Sequence, residues 1–163
     1  MAEPHGCGHD HGPRVREGFF PHPRACTLVL LAAGASSRMG SVKAALRLRA
    51  PWGEPPGETA AARILRLCRP LGRRVVVLGH HADAVRRVSL GADFAMNPSP
   101  EDGMFSSVRA GLRVALQVQR PPDAVLIWPV DVPLVGVDSV RALFAGGAPS
   151  DCAEARWVRF VAS

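Results

Sequence analysis

Four short stretches of the chain are dominated by consecutive apolar residues: Leu28 to Ala33, Arg74 to Gly79 (RVVVLG), Asp93 to Asn97 (DFAMN) and Ala124 to Val130 (AVLIWPV). The first and the fourth, continuously apolar, read as strands covered on both faces, and the second and third read as strands. Between them the apolar spacing changes to three and four, the period of a helix with one buried face. From Glu58 to Leu71, Ala61, Ile64, Leu65 and Cys68 form such a stripe, with Arg63, Arg66 and Arg69 facing away and Gly72 as the stop. His81 to Val88 reads as a short helix with Ala82, Val85 and Val88 inward. Met104, Val108, Leu112, Ala115 and Leu116 predict a longer one reaching Gln119, and Asp138 reads as the N-cap of a helix holding Val140, Leu143 and Phe144. Ala44 to Pro56 is broken by prolines and glycine, and Ala148 to Ser163 has no clear period. Strands alternating with helices predict an α/β chain whose mostly parallel sheet lies in the middle of three layers.

The polar residues are informative where they interrupt this pattern. The first apolar run leads into Gly34, Ala35, Ser36 and Ser37, then Arg38, Gly40 and Lys43. Small residues let a backbone approach a ligand and aim successive amides at an anion. Arg38 adds a planar fork for phosphate oxygens and Lys43 a mobile point charge. The fourth run ends at Asp131, just past the carboxyl end of a predicted parallel strand, where open α/β sheets bind ligands. There it reads either as a loop cap or as a hard oxygen ligand for Mg²⁺ beside a polyphosphate. Asp102, Gly103, Ser106 and Ser107 open the long helix, offering free amides to a ligand or ordinary capping by Asp102. His80 and His81 read as strand-end and helix-start residues with no assigned role.

Composition narrows the partners. The chain has 163 residues and a formal charge of +6, and Lys43 is its one lysine among 20 basic residues. Arginines scattered rather than massed favour a small anionic substrate over nucleic acid. The length fits one domain, residues 25 to 163, after a flexible His-rich tail over residues 1 to 24. In that tail His5, Cys7, His9 and His11 alternate, with Asp10 among them. Neighbouring members stand about 7 Å apart in an extended chain, so they read as a soft-metal trap only if the backbone coils, and otherwise as fortuitous composition. The four cysteines, Cys7, Cys26, Cys68 and Cys152, form no CxxC pair, and Cys26 and Cys68 sit in core patterns. A reduced cytoplasmic protein is the expectation. No apolar run reaches the roughly 18 residues of a membrane span, and no signal-peptide order opens the chain.

Three segments together carry a resemblance. LVLLAAGASSRMGSVK, NPSPEDGMFSSVRAGL and PVDVP, in that order and with VVVLGH between the first two, resemble the MobA-like NTP transferase family, most of all its molybdenum cofactor cytidylyltransferase branch. The resemblance implies a three-layer Rossmann-like sheet of the nucleotide-diphospho-sugar transferase fold. It implies transfer of CMP from CTP, with GTP as the second choice, to the terminal phosphate of molybdopterin, releasing pyrophosphate with Mg²⁺ as cofactor. Carried over by position, Ala33, Gly34 and Ala35 line base and phosphates, and Arg38 and Lys43 neutralise the triphosphate. Asn97 and Gly103 lie by the nucleoside, and Asp131 holds Mg²⁺. The partners it implies are a nucleotide and a molybdopterin-type small molecule, with a molybdoenzyme or its chaperone as recipient, and neither nucleic acid nor membrane. The chain departs from the pattern in having Val42 where the family has proline, PWGEPPGETAA in place of a Gly-rich segment, and neither a GHP segment nor a later GDxGAR-like acidic motif. A C-terminally short member is therefore expected. The alternatives are a non-catalytic nucleotide- or cofactor-binding protein or metallochaperone derived from the family, and a sugar-phosphate nucleotidyltransferase.

Overall fold

The computed structural model describes residues 26–36, 40–49, 57–136, 138–140 and 157–160. The tail with His5, Cys7, His9 and His11, as well as Arg38, Leu143, Phe144 and Cys152, lies outside them. The four apolar runs form β1 (Cys26–Leu31), β2 (Arg74–Leu78), β3 (Asp93–Met96) and β4 (Ala124–Pro129). The intervening helices are α1 (Ala60–Leu67), α2 (Ala82–Val88) and α3 (Met104–Leu116). A further strand, β5 (Trp157–Phe160), falls where the sequence pattern showed no period. It pairs parallel to β4, from Ala124 opposite Trp157 to Ile127 opposite Phe160. The sheet runs β3-β2-β1-β4-β5, all neighbours parallel, so the chain winds outward from β1 in one direction and then restarts on its other side at β4. The winding reverses between β1 and β4, where open α/β sheets place a ligand crevice outside the carboxyl ends of the strands.

Why the strands lack alternation is visible in the packing. Leu28 and Leu30 of β1 join Val76, Leu78, Leu126 and Trp128 under α1 and α2, all buried. Val29 and Leu31 join Val75, Val77 and Ile127 under α3. β1, β2 and β4 therefore bury both phases of their period of two, whereas β3, at the edge of the sheet, leaves Asp93 and Met96 exposed. α3 comes unusually close to the sheet at Gly111, where an added Cβ would overlap Val29 Cγ1 and lie 2.8 Å from Val77 Cγ2.

Several sequence expectations need correction. Arg63, expected on the outer face of α1, is 2% exposed, because its guanidinium has backbone carbonyls to donate to across the fold. α1 is capped by the Thr59 hydroxyl, which accepts from Ala62 N–H at 3.3 Å, and the chain continues past Cys68 as a separate 3-10 turn, Arg69–Leu71. Asp102 does not cap α3. It closes the 3-10 turn Pro100–Asp102, and Gly103 (φ 87°) stands at the N-cap in a conformation that favours glycine. α3 ends at Leu116 rather than Gln119, with Gln117 as its C-cap. Residues 138–140 are helical and Val140 N–H donates to Gly136 O at 3.2 Å, so Asp138 lies inside that first turn rather than before it. No described helix is long and apolar enough to cross a membrane.

Candidate functional site

The loop 32–36 leaves β1 at the carboxyl edge of the sheet, on one side of the crevice. Ala33 is buried, while Gly34 and Ala35 are exposed. The exit of β2 holds this loop. His80 N–H donates to Ala33 O (3.4 Å), the His80 ring places Nδ1 at 3.4 Å from the same oxygen, and His81 Nε2 lies 2.8 Å from Ala35 O. Gly79 makes that proximity feasible, since a Cβ there would overlap Ala33 O and lie 2.8 Å from Ala33 Cβ. Ser36 adopts φ 52°, and its hydroxyl accepts from Lys43 N–H at 3.2 Å. Thus the small-residue loop doubles back onto the 3-10 turn Lys43–Ala45, which Ala44 anchors in the core.

On the other side of the crevice, the turn after β4 carries Asp131. Val130 N–H donates to Leu31 O (3.1 Å) and Val132 N–H to Pro129 O (3.2 Å). The indole of Trp128, itself fully buried, donates to Val132 O at 2.8 Å. Arg63 reaches from α1 to donate to Pro133 O and to Val135 O, the latter at 3.0 Å. Asp131 therefore projects from a turn held by five hydrogen bonds. Across the crevice Lys43 Nζ lies 3.5 Å from Asp131 Oδ2, with the two side chains 37% and 53% exposed. Such an exposed pair contributes about 0–1 kcal/mol, so it restrains neither partner strongly against a competing anion or cation.

The structure brings Ala33, Gly34, Ala35, Lys43 and Asp131 to one edge around the β1/β4 junction. Asn97 and Gly103 belong to the β3–α3 connection at the same edge. Asn97 is 3% exposed and spends its amide internally, donating to Ser106 Oγ (2.8 Å) and Ser107 Oγ (3.0 Å) and accepting from Ser99 N–H (3.1 Å). What it supplies is a fixed start to α3, from which Met104 and Phe105 project into solvent. Arg38 lies outside the described residues.

Among the described residues no three His, Cys, Asp or Glu side chains converge as a metal cage. A lone, exposed Asp131 suits Mg²⁺ that arrives with substrate phosphates and keeps water as its remaining ligands. The donor set thus fits a substrate-borne ion. A groove of about 530 Å³, lined by Arg66, Arg69, Arg74 and Arg87, lies elsewhere, at the amino end of β2. There Arg66 pairs with Glu58 (3.0 Å), and Arg74 donates to Gly91 O (3.0 Å), so these two serve the fold.

Sequence reasoning missed Gly79, His80, His81, Arg63 and Trp128 as builders of this site. For the first three a signal existed. Glycine at the end of a strand adjacent to the signature strand marks a close backbone approach. For Arg63 and Trp128 no local signal exists, because their partners lie in a turn brought near by topology.

Comparison with known proteins identifies the family. The model of the MobA-like NTP transferase domain matches residues 28–159. The crystal structure of Rv0371c from Mycobacterium tuberculosis H37Rv is 26% identical, with a TM-score of 0.59 over 74% of this chain and 59% of that one. The chain thus spans under two thirds of the length of that neighbour. An Rv0371c homolog from Mycobacterium sp. strain JC1 shares the fold at 24% identity, with a TM-score of 0.56 over 86% of each chain. No curated protein matches the chain. With a two-sided parallel sheet, the signature loop on β1, the carboxylate after β4 and a family match over most of its length, the chain belongs to the MobA-like NTP transferase domain family.

Proposed function

We propose that the protein is a Mg²⁺-dependent nucleotidyltransferase of molybdenum cofactor biosynthesis, transferring CMP from CTP, with GTP as second choice, to molybdopterin. The observation that carries the reading is the Lys43–Asp131 pair spanning the crevice beside the braced loop 32–36. Cation and carboxylate stand 3.5 Å apart where a nucleotide's phosphates and their metal need opposite charges side by side. When bound, Mg²⁺ neutralises phosphate charge and helps withdraw electrons from the leaving group. Lys43 exchanges Asp131 for phosphate oxygens, while Asp131 takes the ion. Gly34, Ala35 and Ala33 give the phosphates a close backbone wall, and Arg38 adds a second cation. Gly103 and Asn97 shape the nucleoside end through the start of α3.

An oxygen of the acceptor phosphate forms a bond to the α-phosphorus. The bond from that phosphorus to the α–β bridging oxygen breaks, and its electron pair leaves with pyrophosphate. Positioning and charge stabilisation are the protein's whole contribution, and no side chain becomes covalently attached. The acceptor's own phosphate is the nucleophile. Buried cysteines at Cys26 and Cys68 accord with work in the reducing cytoplasm, with the product passing to a molybdoenzyme or its chaperone.

The test is pyrophosphate release from CTP and from GTP with Mg²⁺ and molybdopterin. Removing a charge that stabilises the transition state costs about 10²–10³ in rate, the loss expected for Lys43→Ala and Asp131→Ala. Absence of release from either triphosphate, or full activity in both variants, overturns the proposal. That no three metal-ligating side chains converge among the described residues also supports a second reading, binding without turnover, whose signature is CTP affinity with no pyrophosphate.

A further inference from the structure

We infer that His81 is the positioning residue of the signature loop, turning its amides toward the phosphates of the nucleotide without touching the nucleotide itself. This rests on the nucleotide reading above, but its geometry is independent of it. His81 stands at the N-cap of α2 and makes no side-chain bond to its own helix. Instead its ring crosses to the β1 loop and meets Ala35 O at 2.8 Å. A carbonyl only accepts, so Nε2 carries the proton in this contact and His81 is the donor.

The consequence follows from peptide geometry. The peptide bonds of the described chain are trans, and in a trans unit the C=O of one residue points opposite to the N–H of the next. Drawing Ala35 O toward α2 therefore turns Ser36 N–H away from it. Two units earlier the same holds: Ala33 O accepts from His80 N–H at 3.4 Å, which turns Gly34 N–H outward. Neither Gly34 N–H nor Ser36 N–H donates to another described residue. Ser36 at φ 52° bends the chain between these anchors and Lys43, whose N–H it receives. Two free amides on alternate peptide units, backed by anchored carbonyls, make a concavity for an anion. His80 anchors its carbonyl largely through the backbone, so a mutation cannot remove that contact. At Ala35 the anchor is a side chain, and His81 is the position where the sequence chooses it.

The experiment compares wild type, His81→Ala and His81→Gln, whose amide nitrogen reaches about as far as Nε2. Isothermal titration uses two probes with Mg²⁺ present, CTP and inorganic tripolyphosphate. Wild type binds both. His81→Ala weakens both by the same factor, about tenfold, the low end for losing a group that orients a ligand rather than contacts it. Its melting temperature stays within roughly 2–4 °C of wild type. His81→Gln restores most of the affinity for both probes. Equal binding by wild type and His81→Ala overturns the inference while leaving the functional reading intact. A loss for CTP without a loss for tripolyphosphate also overturns it, by placing His81 at the nucleoside. So does failure of glutamine to restore binding. Absence of binding by wild type to either probe overturns the nucleotide reading and this inference with it.

Discussion

Substituting Gly79 by alanine tests whether the site depends on how closely β2 approaches the β1 loop. The new methyl would overlap Ala33 O and lie 2.8 Å from Ala33 Cβ and 2.9 Å from Ala33 Cα. None of these atoms belongs to a rotatable side chain, so only backbone movement relieves the contact. Ordinary carbon contacts begin near 3.5 Å, which requires a shift on the order of 1 Å. Ala33 is 2% exposed and resists that shift. Overpacking of this kind costs about 1–3 kcal/mol, against about 0.4–1 kcal/mol regained by restricting the unfolded chain. The net is roughly 1–2 kcal/mol, a fall in melting temperature of about 2–8 °C. Function suffers more than stability. A displacement near 1 Å at a positioning element costs about a hundredfold in rate. Pyrophosphate release and CTP affinity measured at 25 °C, alongside a melting curve, separate the two effects. A variant with wild-type affinity and an unchanged melting temperature refutes the reasoning.

Gly111→Ala should show the opposite split. Its methyl would meet Val29 and Val77 beneath the middle of α3, so stability falls by about 1–3 kcal/mol, less about 1 kcal/mol of helix propensity, while CTP affinity stays near wild type. An unchanged or raised melting temperature counts against the close packing. Arg63→Met keeps most of the volume but leaves Pro133 O and Val135 O without their donor. Hydrogen bonds to a charged group contribute about 1.5–3 kcal/mol each, so the urea midpoint and the turnover should both fall, and a wild-type midpoint would contradict the assigned bracing role. Burial pushes the Cys68 thiol up to about 12, with nearby Cys26 adding to the rise and Arg74 opposing it. A native thiol that stays neutral while the unfolded one ionises gives stability that is whole below pH 9 and declines as pH rises toward 12, on the order of 1 kcal/mol per unit. The chain has no tyrosine and one lysine, which keeps this window clear of most other groups. Urea unfolding of wild type and Cys68→Ala at pH 8, about 9.5 and about 10.5 should give a slope in the former and a weaker one in the latter. Parallel slopes would rule out Cys68 as the source.

The three inner strands, β1, β2 and β4, were legible because burial on both faces writes an uninterrupted apolar run into each, and β3, at the edge, from its short run ending before Pro98. Lys43 and Asp131 were legible because their positions follow from strand ends alone, and parallel strands bring their carboxyl ends to one edge. β5 was not, since WVRF is four residues long and carries Arg159, so neither length nor period marks it. Arg63 was misread because helical periodicity assigns any arginine to the wet face, whereas burial of a guanidinium is decided by carbonyls contributed from far along the chain. Of the two readings of the start of α3, capping by Asp102 fails although the local pattern fits, because Gly103 intervenes at the N-cap with no side chain to bond. Asn97 was legible as important but not in kind, as its amide turned out to be enclosed by Ser99, Ser106 and Ser107.

The place of β1 in the sheet also sets an order of events during synthesis. Its Leu28 to Leu31 ladder with β2 needs only residues through Val77, whereas its other edge pairs with Ala124–Pro129. On a chain emerging from the ribosome, one rim of β1 stays unpaired long after the other is closed. That rim is apolar on both faces and offers open backbone groups, the features that invite pairing with a neighbouring nascent chain. The crevice that joins Lys43 to Asp131 is therefore the last part of the inner sheet to exist, and the protein has no site until the rim that most invites aggregation has been sealed.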